Sequence, residues 1–242
     1  MLFTLLAAAA SAHQPFVVTP GEAGAYTPFA VEDPDVSIVV YGERTCDDAQ
    51  LWLETDAEPG YDLFVQLGLP VGDAIEDWRP RLAVIAPGLP AADLGFDIPD
   101  GMGAVMWEAA AEPTQFDEPY SGTSSWILVE ETITLPEGGP ASIVAWDPSG
   151  KAGRMWIAVG TLEQFESEDW ERIMDLLPAV RAFHGLDGSD VRAPTECAAA
   201  DEQDDGDAQT AGPAGCSSTG LGTSGGAALL ALWFAARRRR RA

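Results

Sequence analysis

Apolar and polar residues alternate along this chain in short runs, each closed by Gly, Pro or Asp. In one run Tyr61, Leu63, Val65 and Leu67 fall on one side and Asp62 and Gln66 on the other. A period of two puts successive side chains on opposite faces of an extended strand, so this pattern dictates half-buried β-strands rather than amphipathic helices. The same reading places strands at 36–41, 50–54, 61–67, 81–86, 104–108, 125–135, 142–147 and 154–159. Many short strands with turn chemistry between them predict an all-β fold, a two-sheet β-sandwich. The turn sequences at 137–140 and 147–150 lead us to expect the strands at 125–135, 142–147 and 154–159 to run as a meander.

One C-terminal helix is expected. Ser167 is a suitable N-cap, Glu168 and Asp169 suit the positive end of the helix dipole, and Trp170, Ile173, Met174 and Leu177 recur at helical spacing before Pro178. A second short turn is expected to reach His184 and end at Gly185. The sandwich with its helix is thus assigned to 13–186, followed by a disordered, small-residue, acidic stalk at 187–215 and a short hydrophobic C-terminal helix within 216–242.

Both ends read as export signals. Residues 2–10 are a short apolar run, and Ala10, Ser11 and Ala12 give the small-x-small pattern that signal peptidase accepts, with cleavage after Ala12 exposing His13. At the other end an acidic stretch from Asp201 leads to Gly215 and Cys216, an uncharged segment at 221–236, and then Arg237, Arg238, Arg239, Arg240 and Arg241. As a helix, 221–236 would cover about 24 Å, short of the roughly 30 Å hydrocarbon core. Arginines behind it set the orientation, with the body outside.

This tail resembles the MYXO-CTERM sorting signals of myxobacterial surface proteins, on Gly215 and Cys216, the apolar run Leu229 to Ala236, and the arginine cluster. The resemblance implies that a sortase-like membrane protease cuts near Cys216, that Cys216 carries lipid, and that the mature protein sits at the cell surface, anchored in the outer membrane. The body, over roughly 46–160, looks like the bacterial pre-peptidase C-terminal (PPC) type of sandwich. Residues 51–54, 60–67, 81–88, 135–139, 141–147 and 153–160 carry that likeness, while 89–122 and the helix after Gly160 depart from it. Such domains are usually accessory modules.

Charge excludes one class of partner. The net charge is -26, and removing the two ends leaves 8 basic residues (13 minus the five terminal arginines) against 39 acidic, so the body stands at -31 (8 minus 39). Nucleic-acid binding needs Lys and Arg to displace counterions from phosphates, and is not expected here. Cys46 and Cys197 either pair in an oxidising compartment or remain free thiols.

Candidate chemistry is sparse. The chain has two histidines, His13 and His184, which excludes His-Glu-x-x-His zinc chemistry. An N-terminal His13 joined by His184 would make a copper-chelating brace, the alternative being a residue after a cleavage site and one closing a helix. Calcium would use the loops at Asp47 and Asp48 or at Asp97 to Asp100. Trp146 and Trp156 flank the 147–150 turn and, if exposed together, would form a stacking platform; buried, they and Trp52 and Trp126 are core. A hydrolase would need a nucleophile among Ser121 to Ser125 with His184 as base. The favoured expectation is an exported, non-catalytic, surface-anchored β-sandwich for adhesion, envelope or partner binding, with its ligand unspecified and no cofactor.

Intact mass of the protein recovered from native membranes tests the address. It should begin at His13, end near Cys216 and carry a lipid increment, whereas a mass retaining residues 217–242 would make the chain a single-pass membrane protein.

Overall fold

A computed structural model of the chain describes residues 13–197, so the expected signal segment with Ala12, the expected processing site at Gly215 and Cys216, and the terminal arginines lie outside the described residues. The fold is an all-β sandwich with one helix. The first sheet has six strands, in the order β1 (Gln14–Val18), β3 (Ile38–Glu43), β12 (Arg154–Val159), β5 (Tyr61–Pro70), β9 (Thr123–Leu135) and β8 (Thr114–Glu118). The second has five: β2 (Phe29–Ala30), β4 (Leu51–Ala57), β10 (Gly139–Trp146), β6 (Arg81–Pro87) and β7 (Met102–Trp107). All pairs are antiparallel except β1 with β3 and β2 with β4, so each sheet has one parallel pair at an edge.

Alternation makes the core. Leu63, Val65, Leu67 and Leu69 of β5 turn inward and meet Leu51, Leu53, Leu82 and Ile143 from the facing sheet, all without solvent exposure. Each such side chain stabilises the fold by about 1.5–3 kcal/mol, which makes this layer the main source of stability.

The expected meander is not formed. β9 and β12 lie in the six-stranded sheet, whereas β10 lies between β4 and β6 in the other. Turn chemistry fixes where a chain reverses, but these two turns carry it across the sandwich from one sheet to the other and back. Trp146 and Trp156 therefore share no face. Trp146 packs with Trp52 and Phe96 under the loop that follows β6, and Trp156 packs with Tyr41 on the outer face of the six-stranded sheet.

Helix α1 runs continuously from Ser167 to Phe183, passing through Pro178 rather than stopping before it. Pro178 removes the N–H that would pair with the Met174 carbonyl, but both residues are on the solvent face, where an unpaired carbonyl is cheap. The N-cap is Glu166, not Ser167; Glu166 and Asp169 form a reciprocal capping box. Its buried residues are Ile173, Val180 and Phe183, while Trp170 and Met174 are exposed.

The sandwich extends past 186, so the stalk does not begin at 187. Val191 packs on the core, β13 (Thr195–Glu196) pairs with β11 (Lys151–Ala152), and Cys197 is disulfide-bonded to Cys46 with Cα atoms 5.2 Å apart. Asp187, Asp190 and Glu196 make this stretch look solvated in sequence, but its few apolar residues are the ones that dock.

Candidate functional site

Helix α1 crosses the outer face of the six-stranded sheet and is fixed at its two ends. Near its start, Gln14 Nε2 donates to the Gln164 carbonyl at 2.6 Å. Arg172 donates to the Pro15 carbonyl and to Gln14 Oε1, each at 2.7 Å, with its guanidinium 4.2 Å above the Phe16 ring. At its end, Arg154 donates to the carbonyl of Ala182 at 3.2 Å, which also accepts from the Gly185 N–H at 3.0 Å, and to that of Phe183 at 3.0 Å.

His184, the C-cap residue, completes the second attachment. Its Nδ1 lies 2.8 Å from the Val180 carbonyl and its Nε2 3.1 Å from Ser125 Oγ. A carbonyl only accepts, so Nδ1 carries the proton and Nε2 accepts from the Ser125 hydroxyl. Trp156 Nε1, a donor only, gives its hydrogen to Ser125 Oγ at 3.2 Å. Trp156, Ser125, His184 and Val180 are thus one directed chain of hydrogen bonds, buried throughout. The Trp156 ring can lie there because residue 68 is Gly; a Cβ would fall 2.1 Å from the ring.

Between the two attachments the helix stands off the sheet and leaves a cavity of about 500 Å³, a size that takes a small organic molecule. Val39, Tyr41, Ile127 and Trp156 wall it from the sheet, and Ile173 and Val180 from the helix. Tyr120 and Trp170 also line it and are 48% and 43% exposed, so they mark its mouth; their rings meet edge to face at 5.6 Å, and Phe165 stacks on Trp170 at 5.1 Å. The polar lining includes His13, Gln66, Glu118, Ser125 and Glu130, with no Lys or Arg among the described lining residues.

A β-bulge shapes this wall. Leu67 pairs with Val129 but Gly68 pairs with Ile127, which leaves Leu128 as an extra residue in β9. Without it, the phase that turns Ser125 and Ile127 toward the helix would bring Val129 there as well. With it, Val129 joins the inter-sheet core and Glu130 lines the cavity, where it accepts from Gln66 Nε2.

Glu118 holds the turn at the mouth. Its carboxylate accepts from the Ser121 N–H at 2.5 Å, the Ser121 hydroxyl at 2.6 Å and the Tyr120 N–H at 2.9 Å. Ser121 is thereby committed to a turn. Of the serines named as candidate nucleophiles, Ser125 alone meets His184, from within a strand rather than from a loop.

The two histidines are engaged separately. His13 Nδ1 lies 2.5 Å from Ser37 Oγ, and His184 spends both ring nitrogens, on Ser125 and Val180, so a copper ion taking one nitrogen of His184 would have to displace one of those two contacts. Asp48 is ion-paired with the buried Arg44, and Asp97 and Asp100 are exposed. Among the described residues no three His, Cys, Asp or Glu side chains are grouped to share a cation.

No protein-family model matches this chain, and no curated protein sequence does. Gln66, Glu118 and Glu130 escape the sequence reading because a polar residue on a strand reads as solvent-facing. One signal does point to a covered face: Val39 and Tyr41 of β3 and Trp156 and Ala158 of β12 are apolar on the side away from the inter-sheet core.

Burial first, and then the Arg154 charge, push His184 down to about 4, against the pull of Val180 and Glu118, from the ordinary 6.5 that holds in the unfolded chain. Between those values the unfolded chain binds more protons, so the stabilisation is complete above about 6.5 and is lost as pH falls toward 4. Burial lowers His13 as well, with the same sign. Calorimetric melting from pH 7 to pH 4.5 should show a steady fall in Tm, worth on the order of 2–3 kcal/mol for His184. His184→Gln should be less stable at pH 7 and show a shallower fall; an unchanged slope would place the sensitivity elsewhere.

Proposed function

We propose that this protein is an exported, surface-anchored binding module that takes a small molecule with an apolar body into the cavity beneath α1, and that it performs no chemistry on it. The cavity carries the reading. A close-packed domain gains nothing from such a void, because each wall atom forfeits dispersion contacts that a better-seated helix would make. A few polar groups converge on largely apolar walls, the usual composition of a small-molecule site. Aromatic residues at an open mouth give a ligand both entry and a surface to slide past. The signal and sorting-tail resemblances support display outside the cell.

The neutral dye N-phenyl-1-naphthylamine should brighten on binding the full chain, with a Kd in the roughly micromolar range for a ligand of that size. Ile127→Trp, which projects into the cavity from a half-buried position, should weaken it by about tenfold or more with Tm little changed. Equal binding by the variant would remove the cavity from the account.

One contact favours a second reading. Ser125 Oγ and His184 Nε2 stand at 3.1 Å, the relation of a nucleophile to its base, with the Val180 carbonyl where an acid would orient the ring. Against it, the Ser125 oxygen already accepts from Trp156, and a buried imidazole pushed down to about 4 is a weak base. A fluorophosphonate probe should therefore leave Ser125 unmodified; stoichiometric labelling there would make the protein a hydrolase.

A further inference from the structure

Resting on the reading that the cavity binds a ligand, we propose that this ligand is an organic cation: an amine or quaternary ammonium group carried on an apolar body. Charge is the first argument. The lining holds the carboxylates Glu118 and Glu130, with no Lys or Arg among the described lining residues to offset them. Arg172 of the helix and Arg154 of β12 are spent elsewhere, Arg172 on Gln14 and Pro15 and Arg154 on the last helical carbonyls. Fatty acids, phosphates and other anions would enter a low-dielectric space that offers them no Lys or Arg counter-charge among the described lining residues.

Ring chemistry is the second argument. Tyr41, Phe116, Tyr120, Trp156, Phe165 and Trp170 all line the same space. Aromatic faces attract cations through their quadrupole, most strongly where water is excluded, and a quaternary ammonium suits them because it needs no hydrogen bonds. An aromatic cavity with two carboxylates at its margin fits the two halves of such a ligand: the alkyl or aryl body against Val39, Ile127, Ile173 and Val180, and the positive head toward Glu118.

The charge reaches well into the cavity. Glu163 first, then Glu118 and Glu130, pull His13 toward its protonated form against the larger effect of burial, and Glu118 adds to burial in opposing ionisation of Tyr41. Both groups feel the negative potential a cationic head would meet.

Three probes built on an eight-carbon chain separate the outcomes: octyltrimethylammonium, 1-octanol and octanoate, titrated into the full chain in 0.15 M NaCl and followed by tryptophan fluorescence and calorimetry. Salt at that level screens general attraction to the acidic surface beyond about 8 Å. Octyltrimethylammonium should bind about tenfold or more tighter than octanol, with octanoate weakest, a preference of the size that a desolvated cation–π contact supplies. Glu118→Gln should reduce the ratio of cation to octanol affinity severalfold, whatever change in octanol binding follows from loosening the turn that Glu118 holds. Glu130→Gln, which keeps an acceptor for Gln66, should do the same, and Glu137→Gln, which is not among the lining residues, should not. If octanol binds as tightly as the cation, or octanoate tighter, the charge inference is overturned and the binding cavity stands. If the preference survives in both Glu118→Gln and Glu130→Gln, it comes from the general surface and the inference is likewise overturned. If none of the three binds, the cavity reading falls with it.

Discussion

Helix α1 is tied to the six-stranded sheet at its two ends, and the rest of the site depends on that arrangement. At one end Arg172 donates to Gln14 of β1 and Gln14 to the Gln164 carbonyl ahead of the helix; at the other Arg154 and His184 secure its final turn to β12 and β9. Polar attachments have fixed lengths and directions, unlike apolar packing, which draws surfaces together until they touch. Two such attachments set the height of a helix above a sheet. The cavity is the space that height leaves where the side chains between the clamps do not fill it.

The order of construction follows. Inward-facing leucines and isoleucines hold the two sheets together and would do so with no helix at all. Yet the outer face of the six-stranded sheet is also apolar along β3 and β12 and needs a cover. The opposite sheet has the same need, met by close packing: Phe96 and Leu94 of the loop after β6 lie directly on Trp52 and Trp146. One sandwich thus has two covered outer faces, one sealed by a loop and one bridged by a helix. The bridged face is where an acidic side chain from the bulged strand and a histidine from the N-terminal edge can share a space with six aromatic rings.

Much of the fold was legible in the sequence because a period of two is a local property. Tyr61 to Leu67 and Arg154 to Val159 declare themselves as strands wherever they are placed. β1, β2 and β8 did not, since Gln14 to Val18 and Phe29 to Ala30 pair in parallel at sheet edges without a turn beside them, and Thr114 to Glu118 is mostly polar. Sheet membership was not local either: the turns at 137–140 and 147–150 look like hairpin turns and serve as crossings between sheets. For the site, Ser125 and His184 could be named as residue types, but 59 residues separate them and only tertiary packing brings them to 3.1 Å. The part played by Glu130 depends on a single extra residue in β9, which has no signature in the pattern of residues around it.

The disulfide places the end of the domain in a particular mechanical position. Cys197 is joined to Cys46, in the connection between β3 and β4, so the covalent path from the tail into the body reaches the sandwich without passing through α1. Tension applied to the chain beyond residue 197 enters the sheets at Cys46, and the segment 167–196 hangs inside the closed loop, unloaded. Load entering by this route leaves the helix above the cavity at its height.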